Sequence, residues 1–266
     1  MVVSLLDRLP LKNGLTIPGI GLGTYGMDDN EVEEVVFTAI MNGYRLIDTA
    51  TMYNNEVGVG RGINRAINAG ISRDELFVVT KIWKNEMGFD STLKAFEASF
   101  KRLELEYIDL LLIHWPNESD DVNLETWQAM ETLVEAGRVR ALGVANFTRG
   151  DLTPLLKSAK IKPTVNQYEI YPGHSQEELH EFCESKNIVS MAYSPLKRGK
   201  LTTENKLLKI ANRHNKTVSQ VVLRWNIQRD VIPIPKTTHK ERLIENAAIF
   251  DFELSDEDMD ILNEMG

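Results

Sequence analysis

Eight short apolar runs alternate with amphipathic segments along the chain, and this alternation constrains the fold more than any other feature. The runs are continuously apolar, as expected of parallel strands covered on both faces. They lie at residues 17–24, 45–50, 76–82, 108–114, 139–145, 163–169, 189–194 and 231–236. Eight such repeats within 266 residues predict an α/β fold, a (β/α)8 TIM barrel, which typically takes roughly 250 residues. We therefore expect one barrel domain over residues 1–266.

The segments around the runs add detail to this barrel. Apolar residues recur at helical spacing between the first two runs, at Val32, Val35, Val36, Ala39 and Ile40, and predict a helix packed on the barrel exterior. Asn13-Gly14 predicts the turn of an N-terminal hairpin that plugs the lower mouth. Two helices, one more than the repeat needs, are predicted before the eighth strand, and Ser255 is expected to cap a last, C-terminal helix.

Composition narrows the class of partner. The chain has 39 acidic and 30 basic residues and a formal net charge of −9, which argues against nucleic acid and anionic lipid as partners and favours a small molecule. The lone Cys183 forms no internal disulfide, and the N-terminus lacks a secretion signal, so a cytoplasmic location is expected. A monomer is expected as well. No apolar run reaches the ~18 residues of a membrane span.

Four ionisable residues fall at or just beyond the ends of three successive predicted strands: Asp48, Tyr53, Lys81 and His114. The carboxyl ends of all barrel strands open on one face, where such folds place their chemistry. A tyrosine hydroxyl is a weak proton donor unless a nearby cation stabilises its phenolate. Lys81 is the candidate cation, which Asp48 holds in place. Since His114 adds a donor for a carbonyl oxygen, the pattern predicts a proton-relay site.

Each of these four residues also fits a structural role on its own, and only their combination favours catalysis. A doubly wound fold would use Gly21, Gly23 and Gly26, which have the G-x-G-x-x-G spacing, as a phosphate-binding turn. No helix is predicted directly after them, so we interpret these glycines as points where backbone approaches a ligand at the barrel rim.

A metal-dependent hydrolase is also disfavoured by the sequence. Only one of the five histidines, His114, ends a predicted strand, and no His-x-His or His-Glu-x-x-His pair is present, so no metal site is expected. Cys183 lies inside a helical pattern and is interpreted as a small buried side chain rather than a nucleophile.

These motifs carry a resemblance that spans nearly the whole chain. GLGTYG, GYRLIDTATMYNNEVGVG, VVTKIW, LLIHWP, RALGVANF, TVNQYEI, AYSPL and IPKTTHKERLIEN resemble the aldo-keto reductases, a (β/α)8-barrel family of NADPH-dependent carbonyl reductases. The resemblance implies a catalytic tetrad at Asp48, Tyr53, Lys81 and His114. It implies that Tyr53 is the general acid, that Lys81 and Asp48 tune its proton, and that His114 orients the carbonyl.

The resemblance also implies cofactor and substrate residues. Asn146 and Gln167 match the residues that hold the nicotinamide carboxamide, and Tyr193 matches the ring that stacks on it. Further NADPH contacts are implied at Gly23, Thr24, Ser194, Leu196, Lys236, Thr237, Arg242, Glu245 and Asn246. Lys236 and Arg242 lie where the family binds the 2′-phosphate, although a solvated basic patch is the alternative. Substrate walls are expected at Tyr25, Trp83 and Trp115, beside His114.

Two departures from the family pattern affect these expectations. Ala145 stands where many relatives have a serine that helps to hold the carboxamide, so one hydrogen bond of about 1 kcal/mol is expected to be missing. The sequence after the final helix is short, as is the loop after His114, and an open pocket is expected. A binding or regulatory subunit that keeps the fold and the NADPH pocket is the alternative function, against which the intact tetrad argues.

Overall fold

The computed structural model describes residues 2–265 and begins with the hairpin expected from Asn13-Gly14. Strands β1 (Arg8–Pro10) and β2 (Thr16–Pro18) pair antiparallel, with Leu9 opposite Ile17. Gly14 takes φ 86°, a left-handed conformation that glycine adopts without steric cost. The Asn13 amide donates to the carbonyl of Arg140, at 3.2 Å. This contact ties the hairpin to the amino-terminal end of the barrel, and the hairpin prediction is confirmed.

Eight parallel strands follow in a nearly closed barrel, ordered as in the sequence. They are β3 (Gly21–Gly23), β4 (Leu46–Asp48), β5 (Phe77–Ile82), β6 (Ile108–Ile113), β7 (Val139–Ala145), β8 (Val165–Glu169), β9 (Val189–Tyr193) and β10 (Ile232–Pro233). The first predicted run is divided between β2 and β3, and the last keeps only two paired residues. Prolines explain both differences, because Pro18, Pro233 and Pro235 have no N–H to donate to a neighbouring strand. The barrel closes where Gly23 N donates to the Pro235 carbonyl, at 3.1 Å.

Helices cover the outside of the barrel within residues 2–265. They are α1 (Asp29–Met41), α2 (Glu56–Asn68), α3 (Phe89–Leu103), α4 (Asp120–Glu135), α5 (Arg149–Ser158), α6 (Glu177–Ser185), α7 (Asn205–His214), α8 (Val218–Gln228), α9 (Lys240–Ala247) and α10 (Asp256–Asn263). The additional helix before β10 and the C-terminal helix are thus confirmed. Ser255 Oγ accepts from Asp258 N at 3.2 Å and caps α10 as its sequence predicts.

Apolar side chains pack in two layers, inside the barrel and between strands and helices. Successive residues of a strand point to opposite faces, so Leu46 belongs to the inner cluster and Ile47 to the outer one. Each fully buried aliphatic side chain contributes about 2 kcal/mol, and both layers consist largely of such residues. This packing makes the strand ends a firm support for side chains at the rim. Among residues 2–265 no helix has the length and apolar character needed to cross a membrane.

Candidate active site

Strand periodicity explains which side chains meet at the carboxyl-terminal rim. Leu46, Val79 and Leu112 belong to the cluster inside the barrel. The residue two positions further on points the same way, one layer higher and at the open end. At the carboxyl ends of β4, β5, β6, β8 and β9, the inward-pointing residues are therefore Asp48, Lys81, His114, Gln167 and Tyr193, respectively. Tyr53 reaches the same rim from a 3-10 turn, Thr51–Tyr53, that follows β4.

Lys81 lies at the centre of the group. Its Nζ is 2.6 Å from Asp48 Oδ1, 2.9 Å from the Thr49 carbonyl and 3.2 Å from Tyr53 Oη. The three ammonium protons therefore each have an acceptor. The Lys81 side chain is 0% and that of Asp48 2% exposed. Burial by itself lowers the pKa of Lys81, but the charge of Asp48 and the hydrogen bonds to Asp48 and Tyr53 outweigh it and raise the pKa overall, so Lys81 stays a cation.

The hydroxyl of Tyr53 shows a competition between burial and charge. Burial raises the pKa of Tyr53, while the Lys81 ammonium lowers it, and the net direction is upward. The sequence predicted that Lys81 stabilises the phenolate, which the geometry supports. Desolvation nevertheless exceeds that effect, because a buried phenolate loses its hydration. Tyr53 therefore keeps its proton in this structure.

His114 is neutral in this environment. Burial, followed by the charges of Lys81 and Lys84, lowers the pKa of His114 to about 2. Among the described residues its buried Nδ1 has no hydrogen-bond partner. Its ring packs edge-on against Tyr53, with centroids 5.7 Å apart, and against Trp83, at 4.8 Å. A neutral imidazole has one N–H donor and one acceptor nitrogen, so His114 can offer a hydrogen bond without carrying charge.

Two amides connect the neighbouring strands to this group. Gln167 Nε2 donates to Asp48 Oδ2 at 2.7 Å, so both oxygens of that carboxylate are bound. Asn146 has φ 61°, and its amide donates to the His114 carbonyl at 3.0 Å. Tyr193 Oη donates to Asn146 Oδ1 at 2.8 Å. Burial raises the pKa of Tyr193 to about 12, which keeps its hydroxyl a donor.

Gly23 approaches another part of the backbone. A Cβ built there would lie 2.9 Å from the Ile234 carbonyl oxygen. The absence of a side chain is thus explained by barrel closure, whereas the sequence interpretation attributed it to a ligand. Thr24, the next residue, is fully buried, and its hydroxyl donates to the Asp48 carbonyl at 2.9 Å. A cofactor contact at either residue stays a prediction.

The remaining residues expected near the cofactor differ in exposure. Ser194, at φ 48°, and Leu196 follow β9 and are half-buried, while Lys236 and Arg242 are exposed. Neither cation forms an ion pair within residues 2–265. Thr237 and Asn246 are buried. Glu245 accepts from the Thr217 hydroxyl at 2.8 Å, so one of its oxygens is already engaged within the fold.

Three aromatic residues border the rim, as the sequence predicts. Tyr25 is 54% exposed and its ring lies 5.2 Å from that of Tyr53. Trp83 packs on His114, and Trp115 is 37% exposed. Proximity to Tyr53 and His114 therefore marks these aromatics as candidate walls of the pocket.

Glu86 is a contributor that the sequence analysis missed. Its Oε2 accepts from Trp83 N and from Thr51 Oγ1, both at 2.8 Å. Thr51 begins the turn that carries Tyr53, so Glu86 fastens this turn to the loop of Trp83. A glutamate three residues after the first residue of a turn is the available signal, but Trp83 occupies the position where a capping box has serine or threonine.

A parallel barrel with ionisable side chains gathered at its carboxyl-terminal rim has the architecture of a barrel enzyme. The Aldo/keto reductase family model matches residues 19–266, and the chain belongs to that family. It is 49% identical over 261 residues to glyoxal reductase of Bacillus subtilis (strain 168), covering 98% of this chain and 93% of the relative. It is 46% identical to 9,11-endoperoxide prostaglandin H2 reductase of Trypanosoma cruzi (strain CL Brener), covering 96% and 90%.

Solved structures give the same classification. An aldo/keto reductase from Brucella melitensis superposes with a TM-score of 0.94 at 42% identity, covering 98% of this chain and 100% of that one. A Bombyx mori aldo-keto reductase in complex with NADP superposes with a TM-score of 0.91 at 39% identity, covering 100% and 94%. The predicted fold class and family are thereby confirmed.

Proposed function

We propose that this protein is an NADPH-dependent reductase of aldehydes or ketones, with Tyr53 as general acid. One observation carries the proposal: a buried ammonium, Lys81 Nζ, lies 2.6 Å from a carboxylate and 3.2 Å from a phenol. Two unit charges at ~4 Å and an effective dielectric of ~20 interact by about 4 kcal/mol. That interaction becomes available when Tyr53 releases its proton, and it then offsets part of the burial cost that disfavours the phenolate.

The donor set at the rim fits a nicotinamide dinucleotide phosphate. Asn146 and Gln167 offer amides at the bottom of the rim, where they would hold the carboxamide, and Tyr193 offers a ring beside them. Lys236 and Arg242, without ion pairs in the described part of the chain, would bind the 2′-phosphate, because guanidinium and ammonium groups suit a dianion. When bound, the reduced nicotinamide supplies the hydride that the carbonyl carbon accepts. Gly23, Thr24, Ser194, Leu196, Thr237, Glu245 and Asn246 complete the proposed contacts.

The residues of the chain supply the proton and hold the oxygen that receives it. Tyr53 donates its proton to that oxygen, and Lys81 stabilises the phenolate that remains. Asp48 keeps Lys81 in place, and Gln167 in turn fixes Asp48. His114, neutral because its pKa is lowered to about 2, donates a hydrogen bond to the carbonyl oxygen rather than a proton. Tyr25, Trp83 and Trp115 would surround the rest of the substrate and exclude water.

Steady-state kinetics with NADPH test the proposal. Glyoxal is the first aldehyde to try, because a relative at 49% identity is named for its reduction, and a broader panel of aldehydes and ketones follows. Tyr53→Phe should abolish turnover, whereas Tyr107→Phe, which removes a hydroxyl before β6 at the opposite end of the barrel, should retain it. If the protein also oxidises an alcohol with NADP+, the activity would be that of an NADP+-linked alcohol dehydrogenase.

The regulatory-subunit alternative predicts a different result in the same assays. Such a protein would bind NADPH and leave the whole carbonyl panel unreduced, with no difference between wild type and Tyr53→Phe. A single domain, a monomeric state and a cytoplasmic location stay predictions from composition. Sedimentation analysis tests the monomer, and limited proteolysis tests the single domain.

A further inference from the structure

Lys84 follows Trp83 at the edge of the proposed substrate pocket and takes no part in the proton relay. Its side chain is exposed, and its Nζ lies 5.0 Å from the centroid of the Trp115 ring. A cation near an indole face is attracted by the ring quadrupole. Lys84 is therefore held beside Trp115 and is next to Trp83 in the chain.

The charge of Lys84 is not balanced by a neighbouring acid. No ion pair involves this lysine within residues 2–265. The nearest carboxylate along its own loop, Glu86, accepts from Thr51 Oγ1 and Trp83 N through one oxygen, both at 2.8 Å. The loop after Trp115 carries Glu118, and the first turn of α4 carries Asp120 and Asp121. All three are exposed, and none of them pairs with Lys84. A cation without a partner remains beside an apolar wall.

Three other basic residues near the proposed site, Lys81, His114 and Lys197, do not supply a free positive charge beside Lys84. Lys81 uses its three protons on Asp48, Thr49 and Tyr53, and His114 is neutral. Lys197 lies above the ring of Tyr171, at 4.7 Å, in the segment after β9 that is proposed for the cofactor. Lys84 thus lies on the side of the rim that carries Trp83 and Trp115, where the part of the substrate remote from its carbonyl would bind.

We propose that Lys84 binds an anionic group of the substrate, so that the enzyme prefers aldehydes that carry a carboxylate remote from the reacting carbon. This inference rests on the proposed reductase function and names its substrate class. Trp83 and Trp115 contact the apolar spacer between the two ends of such a molecule. The aldehyde end lies at Tyr53 and His114, and the carboxylate reaches the ammonium at the mouth.

A pair of substrates with the same shape tests this charge recognition. 4-Carboxybenzaldehyde carries the anion, and methyl 4-formylbenzoate replaces it with a neutral ester. Exposed ion pairs contribute up to about 1 kcal/mol, or roughly fivefold. Lys84→Gln should therefore lower kcat/KM for the acid by about threefold to fivefold, mainly through KM, and leave the ester unchanged. Lys84→Glu should reverse the preference, and salt should weaken it in the wild type.

Lys101→Gln is the matched control, since it removes the same charge from an exposed site in the last turn of α3, at the far end of the barrel. This variant should leave kcat/KM unchanged for both the acid and the ester. A binding assay independent of turnover, calorimetric titration with 4-(hydroxymethyl)benzoate and its methyl ester in the presence of NADP+, should show the same Lys84-dependent difference.

The outcomes separate this inference from the function on which it rests. If Lys84→Gln changes acid and ester equally, or no more than Lys101→Gln does, the charge recognition is wrong while the reductase assignment stands. If the wild type reduces neither of these aldehydes nor any other carbonyl of the panel, the reductase assignment is wrong. In that case calorimetry still tests whether Lys84 binds the anion. Equal affinity of wild type and Lys84→Gln for 4-(hydroxymethyl)benzoate would refute a role for Lys84.

Discussion

Replacing Lys81 by methionine should both destabilise the protein and stop catalysis, and the structure gives the size of the first effect. Lys81 is 0% exposed and its partner Asp48 2%. The substitution leaves the Asp48 carboxylate buried without its cation, although Gln167 still donates to it at 2.7 Å. Removing one partner of a buried ion pair typically costs about 3–5 kcal/mol. We expect Lys81→Met to lower the free energy of unfolding by about that amount.

Adding Asp48→Asn to Lys81→Met should restore most of the lost stability. The second change removes the unpaired charge, and the introduced amide oxygen can still accept from Gln167. Neutralising both members of a buried pair is often close to neutral for stability. Activity should behave differently, because neither variant has a cation to stabilise the phenolate of Tyr53. We expect kcat to remain about 100-fold or more below wild type in both.

Urea unfolding followed by far-ultraviolet circular dichroism measures the stability, and a double-mutant cycle gives the coupling between the two residues. We expect a coupling energy of several kcal/mol, because wild type and the double variant should both be more stable than the loss in each single variant would predict. The pKa of Lys81 is raised above its ordinary value of 10.5, so the contribution should be fully present below about pH 10 and disappear only at higher pH. Purely additive losses, or a fully active Lys81→Met, would refute the reasoning.

Three further predictions follow from single contacts. The folded-state pKa of His114 is lowered to about 2 from 6.5, so below about pH 6.5 protonation of this residue favours the unfolded chain. Wild type should therefore lose unfolding free energy as the pH falls from about 7 to about 5. His114→Asn should lose about 2 kcal/mol less over the same range in urea titrations. An equal loss would contradict a neutral His114. Glu86→Ala should lower kcat and shift Trp83 fluorescence, whereas Glu86→Gln, which keeps an acceptor for Thr51, should stay near wild type in the same assays. Arg242→Ala should raise KM for NADPH far more than for NADH, and equal increases would overturn the 2′-phosphate assignment.

Much of the site was predictable because strand periodicity is a local property. The apolar runs at 45–50, 76–82 and 108–114 fixed where Asp48, Lys81 and His114 fall. The parallel barrel then requires that they share one rim, as the structure bears out. The N-terminal hairpin, the additional helix before β10 and the cap of the C-terminal helix were likewise predictable from short sequence patterns. Strand lengths were not predicted where proline removes a pairing N–H, and β3 and β10 are therefore shorter than their apolar runs.

Contacts between distant segments were not readable from the sequence. Gly23 matches a phosphate-binding spacing, yet its missing side chain makes room for the Ile234 carbonyl, and that neighbour is set by how the first and last strands close. Glu86 was missed because its partners, Thr51 and Trp83, belong to two different loops. The net direction of the Tyr53 pKa also depends on burial, which no local pattern reports.

The sequence by itself therefore determined the barrel, the layer of inward-pointing residues and the chemical types gathered at its open end, because side-chain direction along a strand repeats every second residue. Only the tertiary structure decided that Lys81 divides its protons among Asp48, Thr49 and Tyr53, that His114 is uncharged, and that Lys84 lies over Trp115. Those properties depend on distances and desolvation, which arise only when all eight strands have closed around a common interior.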